Sequence, residues 1–249
     1  VQMSKWYKSM FEGKLAEYWL WISDLRKEQT EKQVAFLRDT LKDGLTLDHC
    51  CGPGRLSIPL SRDKPVVGLD LSMFLLNEAR KRGKEAAVKN LHLIRADMRH
   101  LPLKSNCFEN LINFWTSFGY FSEKENERVL EEIARVLKTN GMFVMHIANP
   151  EGLIREYQEK DWSEEEHFFH LEQRNWDWES KRMRNRWICV DKANGGISEI
   201  RFDHRLYSFN ELKSLFEAEG LKVAGAYASF SKERFDSSRG TRMIILARK

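Results

Sequence analysis

What this 249-residue chain lacks sets the first bounds. It has no run of about 18 apolar residues, the length a helix needs to cross a bilayer, so no membrane partner is expected. The opening residues, VQMSKWYKSMFEGK, carry no apolar signal-peptide core. Cysteine is scarce: Cys50, Cys51, Cys107 and Cys189 form no C-x-x-C pair. Adjacent cysteines seldom bridge each other or share one metal. The thiols are therefore read as reduced, no metal is expected, and the compartment expected is the cytoplasm. Charge of neither sign dominates: 41 Lys and Arg against 37 Asp and Glu leave 41 − 37 = 4. That excess is spread along the chain and gives no strong argument for a nucleic-acid groove, so a nucleic-acid partner is not expected. The densest basic stretch, Lys181 to Arg186, reads as a solvated strand face. Repeats, low-complexity tracts and Pro/Gly linkers are missing too. The 42% apolar and 31% charged residues that remain are an ordinary globular mixture.

The pattern that is present changes along the chain. Residues 5–42 alternate aromatic clusters with charge at helical spacing, and Thr30 with Gln33 resembles a capping box opening a second helix. From Leu45 short apolar runs at 45–51, 66–71, 91–96, 110–115 and 142–148 alternate with amphipathic segments at 55–61, 72–87 and 124–138. Such a rhythm predicts a parallel sheet with right-handed crossovers and helices on both faces. Asn140-Gly141 reads as the stop of the last of those helices. Beyond Pro150 the rhythm becomes a short helix over 151–160 and then antiparallel strands through 166–206, with Ala193 to Gly196 as a tight turn. A helix capped by Ser208 and stopped by Gly220 follows, then strands at 221–230 and 241–248. The expected architecture is one α/β domain interrupted by an antiparallel sheet.

The stretch LDHCCGPGRLSIPL, residues 47–60, turns the first strand into the first helix through a loop nearly bare of side chains. Ligands of open α/β sheets bind outside the carboxyl ends of the strands. Gly52 and Gly54 let a flat molecule approach the backbone there. The second strand ends in Asp70, 22 residues after Asp48, where a carboxylate can accept both hydroxyls of a ribose. The third ends in Asp97-Met98, an acceptor beside an apolar surface, which suits an adenine. Any one of these acids could merely cap a helix; three polar signals at successive strand ends point to a nucleoside site.

With these residues and the segments GLDLSMFLLNEAR, LIRADMRHLP and FENLINFWTSFGYF, the chain resembles class I S-adenosylmethionine-dependent methyltransferases, of the small-molecule type bearing T-S-F-G-Y-F after the fourth strand. The likeness runs through about 30–149 and resumes over 207–249. It implies a Rossmann-like, mostly parallel sheet with an antiparallel C-terminal hairpin, formed by 45–150 and 207–249. Residues 1–44 would be helices closing the site and 151–206 an inserted antiparallel lid over the substrate. The cofactor implied is S-adenosylmethionine. Asp48, a cofactor-site residue, would end the first strand, and Cys50, Gly52 and Gly54 would line the loop under the cofactor's methionine part. Asp70 would hold the ribose, Leu71 would cover one adenine face, and Asp97 and Met98 would contact the adenine. Asn113 and Phe114 would sit beneath the sulfonium, while Trp115, Ser117 and Tyr120 would face the substrate. Tyr18 of the N-terminal segment could reach the cofactor carboxylate or be a core tyrosine. Where the family has its first loop glycine this chain has Cys50, so the backbone there is expected to avoid a glycine-only conformation.

A nicotinamide-binding fold is the rival. Its fingerprint wants a third glycine where Ser57 stands, and Pro53 removes an amide that would cradle a pyrophosphate. Methyl transfer requires orientation and exclusion of water rather than a nucleophilic dyad, and no dyad is visible. Tyr120, His146, His167, His170 and His204 are the candidates for a base, with none assigned. Trp162, Phe168, Phe169, Trp176, Trp178 and Trp187 of the lid could enclose a flat or cationic substrate or form the lid's own core; Trp6, Tyr7, Tyr18 and Trp19 could close the other side. The expected acceptor is an oxygen or nitrogen of a small molecule. An RNA or protein methyltransferase and a non-catalytic S-adenosylmethionine-binding protein are the alternatives. Oligomeric state is not legible.

Overall fold

Three helices open the computed structural model, which describes residues 6–249: α1 (Trp6–Met10), α2 (Gly13–Leu25) and α3 (Lys27–Thr40). Residues 1–5 of the expected N-terminal region lie outside the described residues. The expected alternation then follows: β1 (Thr46–His49), α4 (Ser57–Leu60), β2 (Val66–Asp70), α5 (Met73–Glu85), β3 (Leu91–Arg95), β4 (Phe108–Asn113), α6 (Glu123–Val136) and β5 (Leu137–Ala148). After α7 (Pro150–Arg155) come β6 (Lys160–Glu164), β7 (Phe168–Asp177), β8 (Arg182–Asp191) and β9 (Ile197–Arg205). The chain closes with α8 (Phe209–Ala218), β10 (Lys222–Tyr227) and β11 (Arg242–Arg248).

Seven strands form one sheet in the order β10-β11-β5-β4-β1-β2-β3. β11 runs antiparallel to both of its neighbours, and the remaining pairings are parallel. This is the mostly parallel Rossmann-like sheet with an antiparallel C-terminal hairpin expected from the sequence. Its central strands are buried on both faces: Leu47, Leu69, Leu111, Phe143 and Ile245 share one cluster, and Val66, Ile112, Val144 and Ile244 share another. The chain winds outward from β1 through β2 to β3, then returns to the other side of β1 as β4. Between β1 and β4, therefore, no crossover closes the carboxyl end of the sheet.

β6 to β9 form a separate four-stranded antiparallel sheet. The basic stretch at its turn is neutralised: Lys181, Arg182, Arg184 and Arg186 face Glu211, Asp203, Asp177 and Glu199. α1 packs on this sheet through Trp6 and Met10, which share a cluster with Ile200 and Phe202. The two sheets meet at Gly119, whose carbonyl accepts from Arg205 N at 2.8 Å. Gly119 has φ 98°, and a Cβ there would lie 2.2 Å from Arg205 O. The glycine of the T-S-F-G-Y-F segment thus permits backbone-on-backbone contact.

Three local readings need correction. Thr30 is inside α3, donating to Arg26 O, and caps nothing; a helix already running through it outweighs a capping box by pattern alone. Asn140-Gly141 does not stop α6, which ends at Val136. The pair instead lies within β5, where Asn140 takes φ 63° and its N–H bonds Lys249 O. Part of the expected 151–160 helix is coil, and residues 160–164 are a strand edge on β7. Trp176 packs against the core at Met183 and Leu206, while Trp178 lies 73% exposed beyond the end of β7. Ser208, by contrast, caps α8 in a full capping box with Glu211.

Gly119→Ala is expected to destabilise the protein by about 2 kcal/mol or more in urea unfolding, since it adds a backbone clash to a strained φ. Gly195→Ala, at φ 69° in a turn where a Cβ meets nothing within 4 Å, should lose only about 1 kcal/mol. Equal losses would show that the approach of Arg205 is not what fixes Gly119.

Candidate functional site

The loop after β1 is built from reversed backbone. Cys50, Gly52 and Gly54 have φ of 70°, 54° and 80°. The expectation that Cys50 avoids the left-handed region is therefore overturned: the cysteine adopts it, at roughly 1–2 kcal/mol for an L-residue. Two hydrogen bonds offset that strain, because Cys50 N and Cys51 N both donate to Leu69 O, at 2.8 and 2.9 Å. A Cβ on Gly52 would meet no atom within 4 Å, since that residue faces open space. Gly54 faces the other way, its absent Cβ lying 3.0 Å from Ile58 and 3.3 Å from Ala79. It serves helix packing and does not line the cleft.

Asp70 braces this loop. One carboxylate oxygen accepts from Gly52 N at 2.9 Å and the other from Ser72 N at 2.9 Å. Burial pushes its pKa up, while those two amides hold it down. Each oxygen retains a free lone pair, enough for a ribose diol. Asp48 is buried and accepts from Ser57 Oγ at 2.5 Å; burial raises it to about 6. Burial also pulls Asp97 upward, but Arg99 outweighs it through a two-pronged contact (Nη2 to Oδ2 2.6 Å, Nε to Oδ1 3.0 Å) and holds the carboxyl below its usual range. Less acceptor capacity is left on Asp97 than the sequence suggested.

These groups surround one cleft. β1 contributes Asp48, Cys50 and Gly52; β2 contributes Asp70 and Leu71; β3 contributes Asp97 and Met98. Phe114, Trp115, Ser117 and Tyr120 enter from the end of β4. Asn113 does not reach it. Its amide is turned into the sheet, 3.1 Å from His49 Nδ1 and 3.3 Å from His49 O, so it supports the loop from behind. Tyr18 is also displaced, packing on Phe168 and His170 of the second sheet and lining a neighbouring cavity. Its aromatic neighbours, 5.4–5.6 Å away, offer more apolar contact than the cleft would.

That neighbouring cavity, of about 580 Å³, lies between the N-terminal helices, the end of the large sheet and the face of the small one. Phe11, Trp19, Trp115 and Tyr120 line both spaces. Trp115 and the following Thr116 both have positive φ, 66° and 60°. Arg26 and Arg55 stand over the Trp115 ring at 4.8 and 5.0 Å. Trp162, Trp187, His170 and His204 of the small sheet line the second cavity; His146 and His167 line neither space. Burial forces Tyr120 upward, so it stays a protonated phenol, and lowers His204 to about 4. Arg55, Arg26 and Arg242 were not anticipated. Arg55 could have been, standing one residue after Gly54; Arg242 is brought in only by the antiparallel return of β11.

Residues 46–141 match the family model described as "Methyltransferase domain". An uncharacterized protein of Methanocaldococcus jannaschii is 24% identical over 92% of this chain and 76% of its own length. Demethylmenaquinone methyltransferase of Oceanobacillus iheyensis is 30% identical over 49% of this chain, and the match spans about half of that relative (52%). Among solved structures, the CcbJ methyltransferase of Streptomyces caelestis superimposes with a TM-score of 0.78 at 20% identity, covering 88% of this chain and 94% of that one. Among the described residues no helix is long and apolar enough to cross a membrane, and no cluster of His, Cys, Asp and Glu is placed to hold a metal.

Three imidazoles, His49 and His146 buried and His204 half-buried, give this region a definite pH response. Burial lowers His49 to about 4, His146 to about 3 and His204 to about 4. The unfolded chain takes up protons first as pH falls through about 6.5, so each histidine removes up to about 2 kcal/mol between pH 7.5 and 5. Asp48, raised in the fold, works in the opposite direction below about 6. The urea midpoint is expected to fall over that range, and His146→Phe should flatten the fall. A midpoint that holds or rises on acidification would contradict three neutral rings held out of water.

Proposed function

We propose, for a chain whose residues 46–141 match the methyltransferase-domain family model, that it is a class I S-adenosylmethionine-dependent methyltransferase and moves a methyl group to an oxygen or nitrogen of a small molecule held in the second cavity. The observation carrying this reading is the adjacency of two unlike spaces: a cleft with the polar groups a nucleoside needs, and an aromatic cavity joined to it at Trp115 and Tyr120. The residues fit the cofactor. Leu71 and Met98 offer apolar surface to an adenine, Asp70 offers acceptors to a ribose, and the space above Gly52 admits the chain beyond. Arg55, in the cleft and free of any carboxylate within 4.0 Å among the described residues, suits the amino-acid carboxylate.

The bound cofactor supplies an electrophilic methyl carbon on a sulfonium and leaves as a thioether. The chain's own part is to orient and to exclude water. Helices over residues 6–44 and the insert 151–206 act as cover on either side of the cavity. Tyr120 donates a hydrogen bond rather than accepting a proton. His204, neutral but weakly basic, can take a proton only late, so the acceptor atom is one that attacks with a lone pair already free. A cavity roofed by a sheet favours a small molecule over a macromolecule.

Asp70→Ala should weaken S-adenosylhomocysteine binding by about 1–3 kcal/mol, the usual size of a lost charged hydrogen bond, with the circular dichroism spectrum retained. Unchanged affinity in calorimetry would remove Asp70 from the site. Incubation of the protein with a metabolite extract and S-adenosylmethionine should yield a product heavier by one methylene, absent from the Asp70→Ala reaction. Slow cofactor hydrolysis with no such product would favour a binding protein instead.

A further inference from the structure

Guanidinium groups that leave solvent in this protein generally face acids. Arg99 meets Asp97 and Glu125, Arg182 meets Asp203, and Arg205 meets Glu123 and Glu211. Arg242 departs from that rule. It starts β11, sinks between the end of β5 and the loop after β4, and donates to Thr116 Oγ1 at 2.5 Å. No carboxylate among the described residues comes within 4.0 Å of it. Arg26, an exposed residue at the junction of α2 and α3, is also without an ion pair; it lies over the Trp115 ring and reaches Gln29 Oε1 at 3.4 Å.

The two line the same cavity, and they push on each other. Burial and the nearby Arg26 hold Arg242 below its usual range, and no acid offsets them. Partly removing the Arg242 cation from water without a counter-charge is unfavourable, and the like charge of Arg26 nearby adds to that cost. The acids of the cavity stand elsewhere. Glu172 is bonded to Arg174 and to Trp187 Nε1, while Glu156, Asp161 and Glu165 come from α7, β6 and the residues just after them. The unpaired cations of the cavity thus stand beside Trp115 and Thr116, and its acids come from α7, β6, β7 and the residues after them. Arg55, in the first cleft, is already placed for the cofactor's own carboxylate, which leaves Arg26 and Arg242 unassigned.

Resting on the methyl-transfer reading, we infer that the acceptor carries an anionic group, a carboxylate or a phosphate, bound between Arg242 and Arg26 next to Trp115. A planar fork of donors suits either anion. Such an anchor would set the distance between the charged group and the accepting atom, and so act on specificity.

The test uses methyl-labelled S-adenosylmethionine, a metabolite extract and the whole chain. The labelled product should be retained on an anion exchanger. Phosphatase treatment of the product should abolish retention for a phosphate and leave it intact for a carboxylate. Once the acceptor has been purified from that fraction, Arg242→Gln should raise its KM at least tenfold with S-adenosylhomocysteine affinity within twofold of the parent. If that variant misfolds by circular dichroism, Arg26→Gln, at a more exposed position, should raise KM in the same direction. A neutral or cationic labelled product overturns the inference, as does a folded Arg242 variant whose S-adenosylhomocysteine affinity falls tenfold. Formation of no labelled product by a wild-type protein that binds S-adenosylhomocysteine overturns the transferase reading itself, and this inference with it.

Discussion

The reversal of winding between β1 and β4 is the constraint from which the rest follows. Crossover helices cover a parallel sheet only where consecutive strands progress in one direction. Where the direction changes, two strand ends are left without a connection above them. In this chain those ends carry Asp48 to Gly52 on one side and Phe114 to Tyr120 on the other. Neither segment could be buried by the sheet's own helices, so both face a hollow.

Holding that hollow open requires strain, and the strain is met locally. Cys50 lies in a conformation glycine prefers, yet two amides of the loop share one carbonyl of β2, and Asp70 takes a third. Trp115 and Thr116 reverse the chain after β4, with two guanidinium groups over the indole and Arg242 on the threonine hydroxyl. A site fixed in this manner is preorganised before any ligand arrives, which is what an in-line transfer between two bound molecules demands. The small sheet and the N-terminal helices then need only to roof it, and Gly119 gives the small sheet a seat on the large one.

Much of this could be read from the order of residues alone. Alternating apolar runs and helical stripes declare a parallel sheet, because burial on both faces leaves little freedom in strand composition. Acids at strand tips are legible for the same reason: a polar residue ending an apolar strand has few other uses. Direction of a side chain was less legible. Asn113 and Gly54 sit at the right places in the chain but turn inward, one toward His49 and one toward Ile58, since strand pleat and helix packing decide their facing. Tyr18 was drawn away by aromatic neighbours supplied from β7, about 150 residues later. Arg242 carries no local signal, and its position depends on the antiparallel pairing of β11 with β5. Asn140-Gly141 misled because the same left-handed backbone serves a helix end and a strand bulge alike.

The central claim is that the strand ends on either side of the reversal grip one nucleoside and direct its sulfur toward the aromatic cavity. A crystal structure of the protein with S-adenosylhomocysteine tests this most directly. The account predicts the ribose hydroxyls on Asp70, the adenine between Leu71 and Met98, and the sulfur at the boundary marked by Trp115 and Tyr120. Density for the ligand under the small sheet, with Asp70 still bonded only to Gly52 and Ser72, would contradict it.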